Sequence, residues 1–188
     1  MPTEGDPTTL VKTAHLIILS TSWGMQIWVS FLSGFVLINS VSRHTFSLVQ
    51  SKLFPYYFYS VLGGSFLNLA LYAMYHPHEL LSNDETIQIT SFFVCVIFSG
   101  LNAQWFGHTT SEIVLKMQNI EKEHQLGQEV GFGTKREAYQ KLKKKDPKYQ
   151  KLSRRFVIYH SITMMCNLIC VFCNGLNLFY TATNLKTF

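Results

Sequence analysis

Cys170 and Cys173 stand in a C-x-x-C pair inside a long uncharged stretch, with Met164, Met165, Cys166 and His160 one to three turns earlier. Thiolate and thioether donors suit Cu(I) or another soft cation. Met164, Cys170 and Cys173 are therefore the candidate metal ligands, although Met and Cys also serve as apolar filler and no complete ligand set is legible. Histidines raise a second chemistry, an intramembrane haem or redox centre. His15 would meet His76 or His78 at one end of a helical bundle, and His160 would meet His44 or His108 at the other. No cofactor is required by either pattern. There is no phosphate-binding glycine loop, Ser-His-Asp arrangement or zinc-protease motif, so the chain is expected not to be an enzyme.

A third chemistry lies in the neutral polar residues. Gln26, Asn68, Asn102, His160, Asn167 and Asn174 all sit in uncharged surroundings. At 100° per residue, His160, Met164, Asn167 and Asn174 share one sector of a helix, flanked by Thr163, Cys166, Cys170, Cys173 and Asn177. Ile162, Met165, Leu168, Ile169, Phe172 and Leu176 take the opposite side. Gln88, Cys95, Ser99 and Asn102 form a similar stripe. So do His15, Ser22, Gln26 and Ser33, and so do Ser60, Gly64 and Asn68, the last with a small-x-x-x-small pair at Ser60 and Gly64. Such stripes either hold helices together by interhelical hydrogen bonds or line a polar path for a solute. The uncharged stretches contain no Asp, Glu, Lys or Arg, which argues against proton- or ion-coupled pumping.

These side chains need elements to position them, and charge patterning supplies the elements. All 27 charged residues, 16 basic and 11 acidic, lie outside residues 13–42, 53–78, 86–111 and 156–185. Each run exceeds the about 20 residues that span a bilayer core, whereas a soluble helix places charges on its wet face every turn or two. Only helices or closed barrels satisfy the backbone in hydrocarbon, and the runs lack a barrel's alternation. The fold class expected is all-α: an integral membrane four-helix transmembrane bundle in a single domain, 1–188, with spans at about 11–38, 54–76, 86–107 and 156–183. Residues 108–155 form a basic loop with an amphipathic helix after span three. The first run, preceded by Glu4 and Asp6, reads as a retained anchor rather than a cleaved signal. The cysteines fall within the runs, so no exposed disulfide framework is expected.

Within this frame Pro55 opens span two in its first turn, where its missing N–H costs nothing, and Pro77 ends that span. Gly107 breaks or bends the chain. Thr109 and Glu112 have capping-box spacing for a new helix carrying Ile113, Met117 and Ile120 on one face, and Gly127, Gly131 and Gly133 form a flexible link. The two loops on one side carry 14 Lys and Arg against 2 for the termini and the acidic second loop (Glu79, Asp84, Glu85). The positive-inside rule then puts the long loop in the cytoplasm and both termini outside. Lys143, Lys144, Lys145, Lys148, Arg154 and Arg155 serve as a topology anchor or as a site for anionic lipid head groups. The basic stretch lacks interleaved stacking aromatics and abuts a span, so nucleic acid is not an expected partner. The bilayer is, and a second copy of the chain or another membrane protein stays open.

Several strings together resemble one family: HLIILSTSWGMQIWVSFLSGF, RHTFSLVQSKLFPYYF, LNAQWF, EKEHQLG, KKDPKYQKL and YHSITMMCNLICVFCNGL. They are similar to the transmembrane protein 205 family, domain of unknown function class 4149, across nearly the whole chain. That resemblance implies a four-span protein of the secretory pathway or plasma membrane. It also implies an association with drug resistance, through export or vesicular sequestration of platinum drugs, with no catalytic residues to carry over. Three functions follow as expectations: handling of small solutes, a scaffold or adaptor acting through the basic loop, and an intramembrane haem or metal redox protein.

Overall fold

The computed structural model describes residues 7–75, 82–131 and 133–183. His76, Pro77, His78, Glu79 and Lys186 lie outside them. Among the described residues the regular structure is helical, with an isolated bridge between Ser42 and Val130 in place of any strand. We number the helices α1 (Thr9–Ser40), α2 (Arg43–Tyr75), α3 (Asn83–Glu123), α4 (Arg136–Lys145) and α5 (Pro147–Thr183). By length and composition α1, α3 and α5 can cross a membrane. α5 packs against α1, α3 and α4, and meets α2 through side chains such as Tyr57 and Asn167.

Local chemistry sets the helix starts. Thr8 accepts a bond from the Val11 N–H at the head of α1. Ser82 and Glu85 make a reciprocal capping box at α3, with Asp84 and Glu85 facing the positive end of the helix dipole. Asp146 accepts from the Lys148 and Tyr149 N–H groups, and Pro147 follows at the first position of α5.

Of the break or bend expected at Gly107, the break is absent. α3 runs through it as one helix, entered by a π-helical turn at Asn102–Phe106. Thr109 caps nothing, and its neighbour Thr110 instead donates to the Phe106 carbonyl. The glycine serves packing: a Cβ there would fall 2.8 Å from the Phe58 ring of α2. Pro55 is likewise interior to α2 rather than in its first turn. The helix starts twelve residues earlier because a distant segment caps it. The Glu129 and Gly127 carbonyls accept the Arg43 and His44 N–H groups at 3.0 Å each.

That same segment replaces the expected flexible link. Gly127, Gly131 and Gly133 have φ of +98°, +92° and +86°, values that favour glycine. A Cβ on Gly127 would lie 2.0 Å from the His44 ring, so the residue is a seat for that ring. Below it, Ile113, Met117, Ile120, Leu126, Leu142 and Tyr149 pack into a small apolar core joining α3, the connection, α4 and the start of α5. The membrane-facing core is separate, built on Tyr57, Phe58, Val61, Cys95, Ala103 and Cys170.

Candidate functional site: a polar bundle interior with a cavity

The bundle is polar inside and apolar outside. Gln26, Asn68, Asn102, Asn174 and Asn177 are at most 1% exposed, while Phe172, Phe35, Trp105 and Phe179 are 61–72% exposed. Water would penalise such a large apolar exterior, whereas lipid accepts it and turns polar groups inward.

Most of the inward residues meet across helices, with α5 as the hub. Asn174 donates to Gln26 at 2.8 Å, Asn167 to Ser30 at 2.7 Å, and the Trp23 indole to the Val171 carbonyl at 3.2 Å, tying α1 to α5. The Tyr57 hydroxyl of α2 donates to Asn167 at 2.6 Å. Asn102 of α3 donates to the Thr163 carbonyl at 3.1 Å, and Thr110 lies 3.3 Å from the Thr163 hydroxyl. Asn68 and Asn177 are buried with no hydrogen-bond partner among the described residues. His160 is half-buried and stacks on Phe156 at 5.2 Å.

Ser60 faces outward, so the expected stripe on α2 is rotated. Steps of four drift by 40° each on a helix of 3.6 residues per turn. The buried row is Tyr57, Val61, Ser65 and Asn68 instead. The small residue at the helix contact is Gly64, whose Cβ would sit 2.3 Å from the Ser22 hydroxyl.

Of the soft-ligand candidates, Cys170 and Cys173 pack with Cys95 in the bundle core, while Met164 lines the cavity described below. The Cys95 thiol donates to the Cys170 carbonyl and Asn174 amide oxygen at 3.5 Å each, and Cys170 to the Cys95 carbonyl at 3.7 Å. All four cysteines are free, and no group of three or more His, Cys, Asp or Glu among the described residues could hold a metal ion. Among the described residues the histidines have unrelated surroundings: His15 packs on Tyr72 and Phe92, and His108 approaches Glu112 at 3.7 Å on the surface.

A cavity of about 330 Å³ opens between the four long helices near the connection end. Ser30, Gln50, Tyr57, Thr110, His160 and Asn167 supply its polar wall, Met164 and several phenylalanines its apolar wall, and no Asp, Glu, Lys or Arg lines it. The side-chain oxygen of Gln50 is buried there without a partner among the described residues. A π-helical turn in α1, Trp28–Ser33, contributes Val29 and Ser30 to the wall. Such turns recur at functional sites because they redirect side chains without ending a helix.

A charged cluster closes the bundle just beyond the cavity. Glu121 is 2% exposed. It accepts from the Tyr149 hydroxyl at 2.7 Å, pairs with His44 Nε2 at 2.9 Å, and faces the half-exposed Arg43 guanidinium at 3.6 Å. Gln118 donates to the His44 carbonyl at 3.0 Å. Arg43 also lies over the Tyr139 ring, 4.3 Å from its centroid, and the Tyr139 hydroxyl donates to Glu129. Burial pushes the Tyr149 and Tyr139 hydroxyls up, and their bonds to Glu121 and Glu129 push them further. Burial alone would raise Glu129. The Tyr139 hydroxyl, the backbone N–H groups and Lys135 outweigh it and hold the carboxyl below its ordinary value. Sequence reasoning missed this cluster, since its members are 28 and 77 residues from Glu121.

The basic residues fall elsewhere. Lys143 and Arg154 line a groove at the α4–α5 corner together with Lys151, while Lys144, Lys145, Lys148 and Arg155 do not. Arg155 lies over the Tyr159 ring at 6.0 Å.

Residues 17–119 match the family described as Domain of unknown function (DUF4149). The chain is 58% identical to Transmembrane protein 205 of Danio rerio, over the full length of both chains. No solved structure matches it.

Proposed function

The chain belongs to the transmembrane protein 205 family and carries its DUF4149 domain; from that premise we propose that it is a non-enzymatic four-span protein whose interior cavity receives small uncharged solutes. The single observation that carries this reading is the uncharged, largely apolar cavity of about 330 Å³ into which a few hydroxyl and amide groups project, among them the unpartnered Gln50 oxygen. At roughly 30 Å³ per water the space equals about ten waters, enough for a compact solute but not for a lipid. Net-neutral solutes fit because the wall offers no countercharge, and a charge in such a setting is costly.

α2 serves as the fourth span. Residues 53–75 are free of charge and, at 1.5 Å per residue, cover about 34 Å, slightly more than the ~30 Å core. The 14 to 2 distribution of Lys and Arg supports a cytoplasmic connection with both termini outside, in the secretory pathway or plasma membrane. Handling of platinum(II) compounds, the narrower function the resemblance implies, would use the one soft donor in the wall, Met164.

Full-length protein reconstituted in liposomes tests this. Uptake of radiolabelled glycerol and of a neutral platinum(II) ammine chloride is measured with wild type, Gln50→Leu and empty liposomes. Faster uptake of either solute with wild type, reduced by Gln50→Leu, is the expected result. Equal uptake of both with and without protein rejects the reading. The folded, positively charged connection favours a second reading, a scaffold acting through α4. Neutralising Lys141, Lys144 and Lys145 would then abolish partner recruitment while leaving the cavity untouched.

A further inference from the structure

The corner where α4 meets α5 carries a groove whose chemistry changes along its length. Lys143, from the last turn of α4, faces Gln150, Lys151 and Arg154 of α5 across a volume of about 720 Å³. The same groove continues over Val157 and Ile158, which are 57% and 49% exposed. Positions 150, 151, 154, 157 and 158 fall on one face of a helix, so the stripe runs without interruption from cationic to apolar. Lys151 and Ile158 are seven residues apart, about 10 Å along the axis. The change occurs at 156, where the uncharged run of α5 begins, so the boundary between water and oil crosses this groove.

No acidic side chain lines it. The nearest in sequence, Asp146, is occupied at the head of α5, accepting the Lys148 and Tyr149 N–H groups. Three cations at head-group depth with bare apolar residues directly beneath match a molecule that is anionic at one end and hydrocarbon at the other. We propose that this groove is a binding site for an anionic glycerophospholipid of the adjoining leaflet, its phosphate held by Lys143, Lys151 and Arg154 and its upper acyl chain lying on Val157 and Ile158. A general positive-inside field would need only the number of charges; this site needs those three.

Native mass spectrometry of the full chain, purified in detergent with mixed phosphatidylserine and phosphatidylcholine, reads the lipids that stay bound. Wild type is expected to retain phosphatidylserine in preference. The triple variant Lys143→Gln, Lys151→Gln, Arg154→Gln should lower that retention by about tenfold or more, since each charge-assisted contact to the phosphate is worth about tenfold. A second triple, Lys141→Gln, Lys144→Gln, Lys145→Gln, makes the same charge change at exposed positions outside the groove and should stay within about twofold of wild type. Val157→Gln with Ile158→Gln should weaken retention with no change in charge. Equal losses in the two charge triples, equal retention of both lipids by wild type, or full displacement of the lipid by inorganic phosphate alone would overturn the proposal.

Discussion

Replacing Glu121 with alanine removes the carboxylate on which the closing cluster converges. Two short bonds disappear, from Tyr149 at 2.7 Å and His44 at 2.9 Å. The His44 ring is then left buried, since its Nδ1 already has no partner among the described residues. Arg43 adds little, being half-exposed at 3.6 Å. Hydrogen bonds to charged groups are worth about 1.5–3 kcal/mol each, so losing two gives a loss near 4 kcal/mol, or about 8–16 °C in Tm at about 2–4 °C per kcal/mol for a chain of this size. Thermal unfolding of the purified protein in detergent measures it. Glu112→Ala is the control. Its pairs with Lys116 at 3.4 Å and His108 at 3.7 Å are exposed, so it should move Tm by no more than about 2 °C. A Glu121→Ala protein that melts within about 2 °C of wild type, or no lower than Glu112→Ala, would refute the assignment of Glu121 as the tie between α2, α3 and α5.

Gly127→Ala should loosen the same region, because its φ is +98° and an added Cβ would fall 2.0 Å from the His44 ring; a cost of about 2–4 kcal/mol should appear as faster proteolysis between α3 and α4. Asn174→Ala should cost about 0.6–2 kcal/mol through the lost Gln26 bond, while Phe172→Ala, on the lipid-facing side at 72% exposure, should change detergent stability by less. Glu129 has a depressed folded pKa, so the stability it contributes is present above the unfolded carboxylate pKa and is lost as pH falls through the folded value. Hydrogen-exchange protection factors across 127–139, corrected for the intrinsic pH dependence of exchange, should therefore fall on acidification below the ordinary carboxylate range, and Glu129→Gln should remove that fall.

The inward faces were legible because lipid imposes one rule on every residue of a span. Gln88, Cys95, Ser99 and Asn102 share a stripe in the sequence and are all buried. Likewise, Phe172 and Met165 were read on the opposite side of α5 and are exposed. The rule failed where spacing was too coarse. Ser60, Gly64 and Asn68 line up only by steps of four, and the true row on α2 starts from Tyr57. It was silent where partners are far apart in the chain. Nothing near Arg43 announces that carbonyls at 127 and 129 will cap its helix, so the sequence alone starts that element near Phe54. Gly127 carries a turn signal whichever way it is used, and only the ring of His44 distinguishes a seat from a hinge. The cavity is a product of four helices and a π-helical turn, and no local pattern encodes it.

The three native tryptophans offer the most direct test of a bundle that is polar within and lipid-facing without. Trp28 and Trp105 are 58% and 63% exposed on the outer surface, whereas Trp23 turns inward and donates to the Val171 carbonyl. Three variants, each keeping one tryptophan with phenylalanine at the other two positions, are reconstituted in bilayers containing brominated phosphatidylcholine. Strong quenching of Trp28 and Trp105 with weak quenching of Trp23 is the expected result; quenching of Trp23 equal to theirs, or none at Trp28 and Trp105, would contradict it.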